Sequence, residues 1–241
     1  MSSANTAVVI VAAGAGLRVG GETPKQYQLL DGVSVLARTV SAFVGHPGVS
    51  HVQVVIGAEH GALYDAAVAG LDLPPAVVGG ATRQQSVKAG LEAVKSTRPD
   101  YVLIHDAARP FVNDEIISHV VANLDRHDGA IPALPVVDTV KRANGSIITG
   151  TVDRTALWAA QTPQGFRFDM IFTAHKMASD QTDVDFTDDA SIAEWAGLKV
   201  ALVPGSRNNQ KLTTAEDMSE AERHIAFQKL TALGDVRVGH G

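Results

Sequence analysis

The chain has 241 residues, enough to bury the core of a large α/β domain, and its 45% hydrophobic and 19% charged composition is that of a globular protein. A net charge of −6 excludes a general nucleic-acid binder, so any anion site must be a local concentration of cations. Zero cysteines exclude disulfides, thiolate metal sites and cysteine nucleophiles and agree with a cytoplasmic location, and no apolar run approaches the length of a membrane span.

The first element is a β-branched apolar run at 7–11, the pattern of a strand buried on both faces. No Lys or Arg precedes it, so it reads as a core strand rather than a leader. It empties into Ala12-Ala13-Gly14-Ala15-Gly16, where small residues let backbone N–H groups approach a ligand. Arg18 and Lys25 follow, with Pro24 fixing the chain direction before the second cation. A dinucleotide fingerprint would need its third glycine one residue before Gly20, and a Walker loop would need Lys-Ser/Thr where Glu22 stands. The glycines alone require only a tight strand-to-helix turn; the two cations turn the reading to a polyphosphate cradle.

Further strand-like runs lie at 52–56, 76–78, 101–104, 129–134 and 199–203, and helical apolar spacing at 33–44, 60–69, 84–94 and 114–124. This alternation predicts an α/β fold with a mostly parallel sheet covered by helices on both faces. Ligands of such sheets sit beyond the carboxyl ends of the strands, so the residues just after each strand carry the chemistry. After 76–78 come Gly79, Gly80, Thr82, Arg83 and Ser86, opening a helix whose free N–H groups suit phosphate or a nucleoside. The plainer alternative is a cap by Thr82 with Arg83 in solvent. After 101–104 comes His105-Asp106-Ala107-Ala108-Arg109-Pro110, with Asp106 placed to meet a divalent cation or ligand hydroxyls, and Asp114 the expected cap of the next helix.

The segment about 136–156 breaks the alternation: two strand-like runs flank Asn144-Gly145, a type I′ hairpin signal, and predict a projecting arm that needs something to pack on. Arg154 on this arm reads by itself as a solvated charge. Gln161-Thr162-Pro163-Gln164 is a turn-rich connection to a helix at 169–178. Thr187 is the expected cap of a helix reaching Ala196, with two acids in its first turn. Lys211 precedes a last helix, opened by Thr213-x-x-Glu216 and running to about Leu230.

The strings Ala12-Ala13-Gly14-x-Gly16-x-Arg18, Pro24-Lys25-Gln26-Tyr27, Gly79-Gly80-x-x-Arg83-x-x-Ser86, His105-Asp106-Ala107-Ala108-Arg109-Pro110 and Gln161-Thr162-Pro163-Gln164 resemble those of the 2-C-methyl-D-erythritol 4-phosphate cytidylyltransferases of non-mevalonate isoprenoid synthesis. The resemblance covers about 6–230 and implies a Rossmann-like fold of the nucleotide-diphospho-sugar transferase type. It implies catalytic roles for Arg18 and Lys25, and nucleotide binding by Ala12, Ala13, Gly14, Gly16, Gly79, Gly80, Arg83, Ser86 and Asp106. Asp106 would also hold Mg²⁺. The acceptor would be held by Asp106, Arg109, Thr139, Arg154, Thr162, Thr187 and Lys211, with Thr139, Arg154 and Thr162 acting across a homodimer of interlocking arms.

The reaction so implied joins CTP and 2-C-methyl-D-erythritol 4-phosphate and releases pyrophosphate. Ribitol 5-phosphate is the competing acceptor, and a non-catalytic nucleotide-binding subunit is the competing class. A nicotinamide-dependent oxidoreductase lacks both its regular glycine spacing and its ribose-binding acid. Residues 1–231 are expected to form a single domain. Residues 232–241, which include Arg237-Val238-Gly239, read as a tail or as the start of a fused 2,4-cyclodiphosphate synthase.

Overall fold

The computed structural model describes residues 4–14, 23–181 and 185–238, with side chains up to 231. β1 (Thr6–Ala12) leads, past a hairpin of β2 (Leu29–Leu30) and β3 (Val33–Ser34), to α1 (Val35–Val44) and β4 (His51–Ile56). Next come α2 (Gly61–Ala67), β5 (Val77–Val78), α3 (Arg83–Val94), β6 (Tyr101–Asp106), α4 (Asp114–Asn123) and β7 (Gly129–Pro135). β8 (Lys141–Asn144) and β9 (Ile147–Thr151) form a separate ribbon. They are followed by β10 (Trp158–Ala160), β11 (Gln164–Arg167), α5 (Phe168–Ala178), α6 (Asp189–Trp195), β12 (Val200–Pro204) and α7 (Ala215–Val238).

The main sheet runs β12, β7, then β10 and β11 end to end, then β6, β1, β4 and β5. β10 and β11 run antiparallel to their neighbours, while β6, β1, β4 and β5 pair in parallel. β1 alternates cleanly: Val8 and Ile10 enter a core shared with α1 and α4, and Ala7 and Val9 enter one shared with α3 and α5. Burial on both faces is why its sequence is a continuous apolar run, each such side chain contributing about 1.5–3 kcal/mol. β4 and β6 flank β1, so the chain reverses its direction of travel across the sheet there, and loops from both meet at their carboxyl ends. Among the described residues no helix is long and apolar enough to cross a membrane.

Several expected boundaries move, each for a local reason. The helical spacing at 33–44 hides a hairpin: Asp31 (φ 51°) and Gly32 (φ 79°) form the turn, and Ser34 then caps α1 through the Ala37 N–H. In the arm, Gly145 (φ 58°) and Ser146, not Asn144 and Gly145, are the two turn residues, because Asn144 pairs with Ile147. Only the first of the two has positive φ, the pattern of a II′ turn rather than the expected I′. α4 is capped by Asn113 and α6 by Asp188, each one position from the expected Asp114 and Thr187. Thr214 and Asp217, rather than Thr213 and Glu216, make the reciprocal bonds that open α7. α7 itself continues to Val238 instead of stopping near Leu230.

β11 was not legible as a strand because only Phe166 in it is large and apolar. Its Gly165 has a steric reason: an added Cβ would lie 2.4 Å from Val120 of α4 and 2.9 Å from Leu103 of β6. Gly90 on α3 is confined in the same way, with Val9 at 2.3 Å and Val55 at 2.9 Å from the position of a Cβ. In an open helix Gly→Ala stabilises by about 1 kcal/mol, whereas overpacking costs about 1–3 kcal/mol. An overlap as close as 2.3 Å puts the overpacking cost at the upper end of that range, so Gly90→Ala is expected to destabilise the protein by about 1–2 kcal/mol net in chemical denaturation; an unchanged or raised midpoint would show that α3 does not press on the sheet as described.

Candidate active site

The carboxyl ends of β1 and β6 open into a cleft of about 490 Å³, lined by the Ala12–Gly14 backbone, Lys25, Thr82, Arg83, Asp106 and Lys211, among others. Gln26 closes one side. Its amide donates to the carbonyls of Ala12 (2.8 Å) and Gly14 (2.9 Å), tying the start of the glycine loop to the short 3₁₀ turn Lys25–Tyr27 and so placing Lys25. Arg18 and Gly16 lie outside the described residues.

On the other side α3 begins with a capping box. Thr82 accepts from the Gln85 N–H, and the Gln85 side chain accepts from the N–H groups of Ala81 and Thr82. Thr82 thus caps as expected, but Arg83 is not left in solvent. Gly79 and Gly80 leave no room for a Cβ: one at Gly79 would meet Ser86 at 2.6 Å and Ala13 at 2.7 Å, and one at Gly80 would meet Gln85 at 2.4 Å. The buried Ser86 hydroxyl accepts from the Gly80 N–H (3.2 Å) and donates to the Thr82 carbonyl (2.9 Å). Ser86 shapes the glycine turn from behind.

Asp106 is the hub. Arg83 Nε lies 3.3 Å from its Oδ1, Lys211 Nζ 2.8 Å from its Oδ2, and Arg109 Nε 3.9 Å from Oδ2. Burial alone would raise the Asp106 pKa; the charge of Arg83, then that of Lys211, overrides it and holds the carboxylate well below its usual range. Arg83 continues to Asp189 (2.7 Å), and its own pKa is raised: burial opposes the charge, and Asp189 and Asp106 outweigh burial. Arg109 donates through Nη1 to the Asn209 carbonyl (2.7 Å), which buttresses the loop before Lys211.

His105 and Thr162 form a buried relay beneath the hub. The Thr162 hydroxyl accepts from the Asp106 N–H (3.1 Å) and donates to His105 Nδ1 (3.0 Å), while His105 Nε2–H donates to the Arg109 carbonyl (3.2 Å). This pattern fixes the neutral Nε2–H tautomer. Burial pushes the His105 pKa down from 6.5 to about 3. The Thr162 hydroxyl is thus committed inside the protein.

The structure therefore brings together Ala12, Ala13, Gly14, Lys25, Gly80, Arg83, Ser86, Asp106 and Lys211 at one cleft, with Gly79 and Arg109 packed directly behind. It places Thr139 and Arg154 elsewhere, exposed on the arm, where Arg154 donates to the Val137 carbonyl; Thr187 is exposed at the entry to α6. Sequence reasoning gave no role to Gln26, Gln161, Gln164, Asn209, His105, His175 or Asp189. Gln161 clamps both backbone groups of Ser206 (2.8 and 3.2 Å). Gln164 clamps Asp188 and the Ala190 N–H, and Asn209 reaches the Thr162 carbonyl. Gln26, His105, Gln161 and Gln164 had one sequence signal, membership in the motif strings, and Asp189 only its place among the first-turn acids of α6.

Arg83, Arg109, Lys211 and Lys25, set against Asp106 and Asp189, leave the cleft with a positive excess, suited to a polyanion presented to the switch point of a parallel sheet. Fold and cleft together define a parallel α/β protein with an anion-binding cleft at the switch point of its sheet. Residues 6–226 match the model of the IspD family, 2-C-methyl-D-erythritol 4-phosphate cytidylyltransferase, and the chain belongs to that family.

The chain is 50% identical over 241 residues to a protein of Rhodopseudomonas palustris named bifunctional enzyme IspD/IspF, and 52% identical over 240 residues to the one of the same name in Bradyrhizobium diazoefficiens. Those matches cover 100% and 99% of this chain but 60% and 59% of the relatives, so the chain spans about three-fifths of their length. Among solved structures, the 4-diphosphocytidyl-2C-methyl-D-erythritol synthase of Anaerococcus prevotii superposes with a TM-score of 0.80 at 26% identity, over 93% of this chain and 100% of that one. The 2-C-methyl-D-erythritol 4-phosphate cytidylyltransferase of Thermus thermophilus gives 0.73 at 32%, over 90% and 98%.

The depressed His105 pKa has a pH signature. As pH falls below about 6.5 the unfolded chain takes up a proton that the folded His105 refuses, so stability is full above that pH and declines toward pH 3. The slope for one such group reaches about 1.4 kcal/mol per pH unit. Asp106 acts in the same direction, but only below the usual carboxylate range. His105→Asn is expected to flatten the stability–pH curve between about pH 6 and 4.5 by close to one proton, whatever its absolute stability; parallel wild-type and variant curves would contradict a neutral buried His105.

Proposed function

We propose that the chain catalyses, in the cytoplasm, transfer of CMP from CTP to 2-C-methyl-D-erythritol 4-phosphate, giving 4-diphosphocytidyl-2-C-methyl-D-erythritol and pyrophosphate. The observation that carries this reading is the Asp106 hub with Arg83 and Lys211 on one cleft, in a chain of this family. An acceptor phosphate oxygen attacks the α-phosphorus of CTP, a new P–O bond forms in line, and the α–β bridging bond breaks to release pyrophosphate. The attacking oxygen is already anionic, so no general base is required, and the work reduces to alignment and charge neutralisation.

In this scheme Lys25, with Arg18, stabilises charge on the α-phosphorus, Arg83 and the glycines hold the nucleotide, and Lys211 faces the acceptor phosphate, with Arg109 behind it holding the loop that carries Lys211. Asp106 is the one carboxylate lining the cleft among the described residues and is held ionised. Asp106 would be the residue to hold a hard divalent cation beside the triphosphate. When bound, Mg²⁺ neutralises charge on those phosphates. Chelation is expected to abolish turnover and added Mg²⁺ to restore it.

A homodimer is part of the proposal. Ile147 is 69% exposed, Ile148 62%, Val137 58% and Trp158 49%, an apolar surface on or beside a two-stranded ribbon that is marginal alone. The same arm carries Thr139 and Arg154, which a second copy could receive at its cleft together with Thr187. The two-activity names of the relatives, and the three-fifths of their length matched here, support fusion to a cyclodiphosphate synthase. The intact mass of the native gene product tests that part.

Pyrophosphate release is expected with CTP, Mg²⁺ and methylerythritol phosphate, and not with ribitol 5-phosphate or with ATP, GTP or UTP. Release with ribitol 5-phosphate alone would move the acceptor, and silence throughout would favour a non-catalytic nucleotide-binding subunit. Lys25→Ala and Arg18→Ala should each lower kcat by about 10²-fold or more, the usual effect of removing one transition-state contact. A change confined to KM would remove both residues from that role.

A further inference from the structure

Asp189 has no part in the mechanism above, yet it is fully buried, at 0% exposure. An acid in the first turn of a helix ordinarily sits in water, as Asp114 and Glu115 do on α4. Asp189 instead commits both oxygens inside the protein: Oδ2 accepts from Arg83 Nη2 at 2.7 Å, and Oδ1 accepts from His175 Nε2 at 3.1 Å. A buried carboxylate persists only where its partners are well placed, so the arrangement constrains Arg83 as much as Arg83 stabilises it.

The constraint matters because of what Arg83 would otherwise do. Guanidinium and carboxylate prefer a two-pronged pair. Left free, Arg83 would engage both oxygens of Asp106 and displace Lys211, which sits 2.8 Å from Oδ2. With Nη2 held by Asp189, Arg83 offers Asp106 only its Nε, at 3.3 Å from Oδ1, and Nη1 has no partner among the described residues. Both cations then stay at the cleft, and one edge of the guanidinium remains for a ligand.

We propose that Asp189, backed by His175, is a positioning residue for the nucleotide half of the reaction: it limits Arg83 to a single contact with Asp106, so that Lys211 keeps the other carboxylate oxygen and both cations serve the cleft. The inference rests on the nucleotide-binding role proposed for Arg83.

The test is a double-mutant cycle on the full chain, read by calorimetric titration with CTP and Mg²⁺ and by steady-state kinetics. Asp189→Asn is expected to weaken CTP binding at least tenfold and to raise KM for CTP by a similar factor, with kcat changed less than threefold. In an Arg83→Lys background, which removes the planar fork that Asp189 orients, Asp189→Asn should change CTP binding less than twofold. His175→Asn, which leaves the Asp189 charge in place, should give a three- to fivefold loss. Circular dichroism establishes folding, and if Asp189→Asn does not fold, His175→Asn with Arg83→Lys carries the same cycle. CTP binding within twofold of wild type in the folded variant, or effects that add in full across the cycle, would overturn the positioning role. Wild-type protein that binds no CTP would overturn the substrate reading along with it.

Discussion

The site depends on one buried carboxylate holding several cations in a small space. Lys211, Arg83 and Arg109 all lie within 3.9 Å of Asp106, and without that charge they would repel one another. In a partly dry cleft like charges a few ångströms apart cost several kcal/mol, so three of them assemble only around a counter-charge. Asp106 supplies it at the carboxyl end of β6, and Asp189 supplies a second beside it. The consequence is a cleft with its cations already in place before any anion arrives.

The sheet makes that concentration possible. The strand order around β1 leaves the loops after β1 and β6 side by side, with the turn after β5 and the start of α3 across from them. Lys211 arrives from far along the chain, and it does so because the loop after β12 is clamped from several sides. Gln161 holds Ser206, Arg109 holds the Asn209 carbonyl, and the Leu212 N–H donates to the Ala108 carbonyl at 2.9 Å. Gln161 makes two hydrogen bonds to Ser206 and the other two clamps one each, ordinary bonds worth about 0.5–1.5 kcal/mol apiece, yet together they fix a lysine on a loop with no regular structure.

Charged residues and glycines were legible in the sequence because the ligand chemistry demands their types. A polyanion needs cations and backbone N–H groups, and Lys25, Arg83, Lys211 and Gly80 meet at one cleft, with Gly79 directly behind, as their spacing after strands suggested. The parallel sheet was legible for a similar reason, since strands buried on both faces must read as apolar runs. Gln26, Gln161, Gln164 and Asn209 were not. An amide that clamps two backbone groups has the same sequence signature as one in water, and only tertiary placement distinguishes them. Asp189 is the sharpest case: the sequence placed it correctly in the first turn of α6, but helix electrostatics could not say that it faces inward to Arg83 and His175. The Asp31-Gly32 hairpin was missed differently, since its signal was present and the apolar spacing that follows it obscured where α1 begins.

The two kinds of residue divide the work. A displacement whose nucleophile is already an anion gains little from proton transfer, so what remains is holding two polyanions at reacting distance against their mutual repulsion. Cations provide the attraction but not the placement, because lysine and arginine side chains are long and retain rotamer freedom unless something takes it away. Here the freedom is removed from behind: Gln26 secures the turn bearing Lys25, Asp189 and Asp106 hold Arg83 between them, and Asn209 and Gln161 hold the loop bearing Lys211. The neutral His105–Thr162 relay fixes the Asp106 backbone without adding a charge to the cluster it supports. A protonated histidine there would add another cation beneath three, so the burial that keeps His105 neutral also protects the electrostatics of the cleft above it.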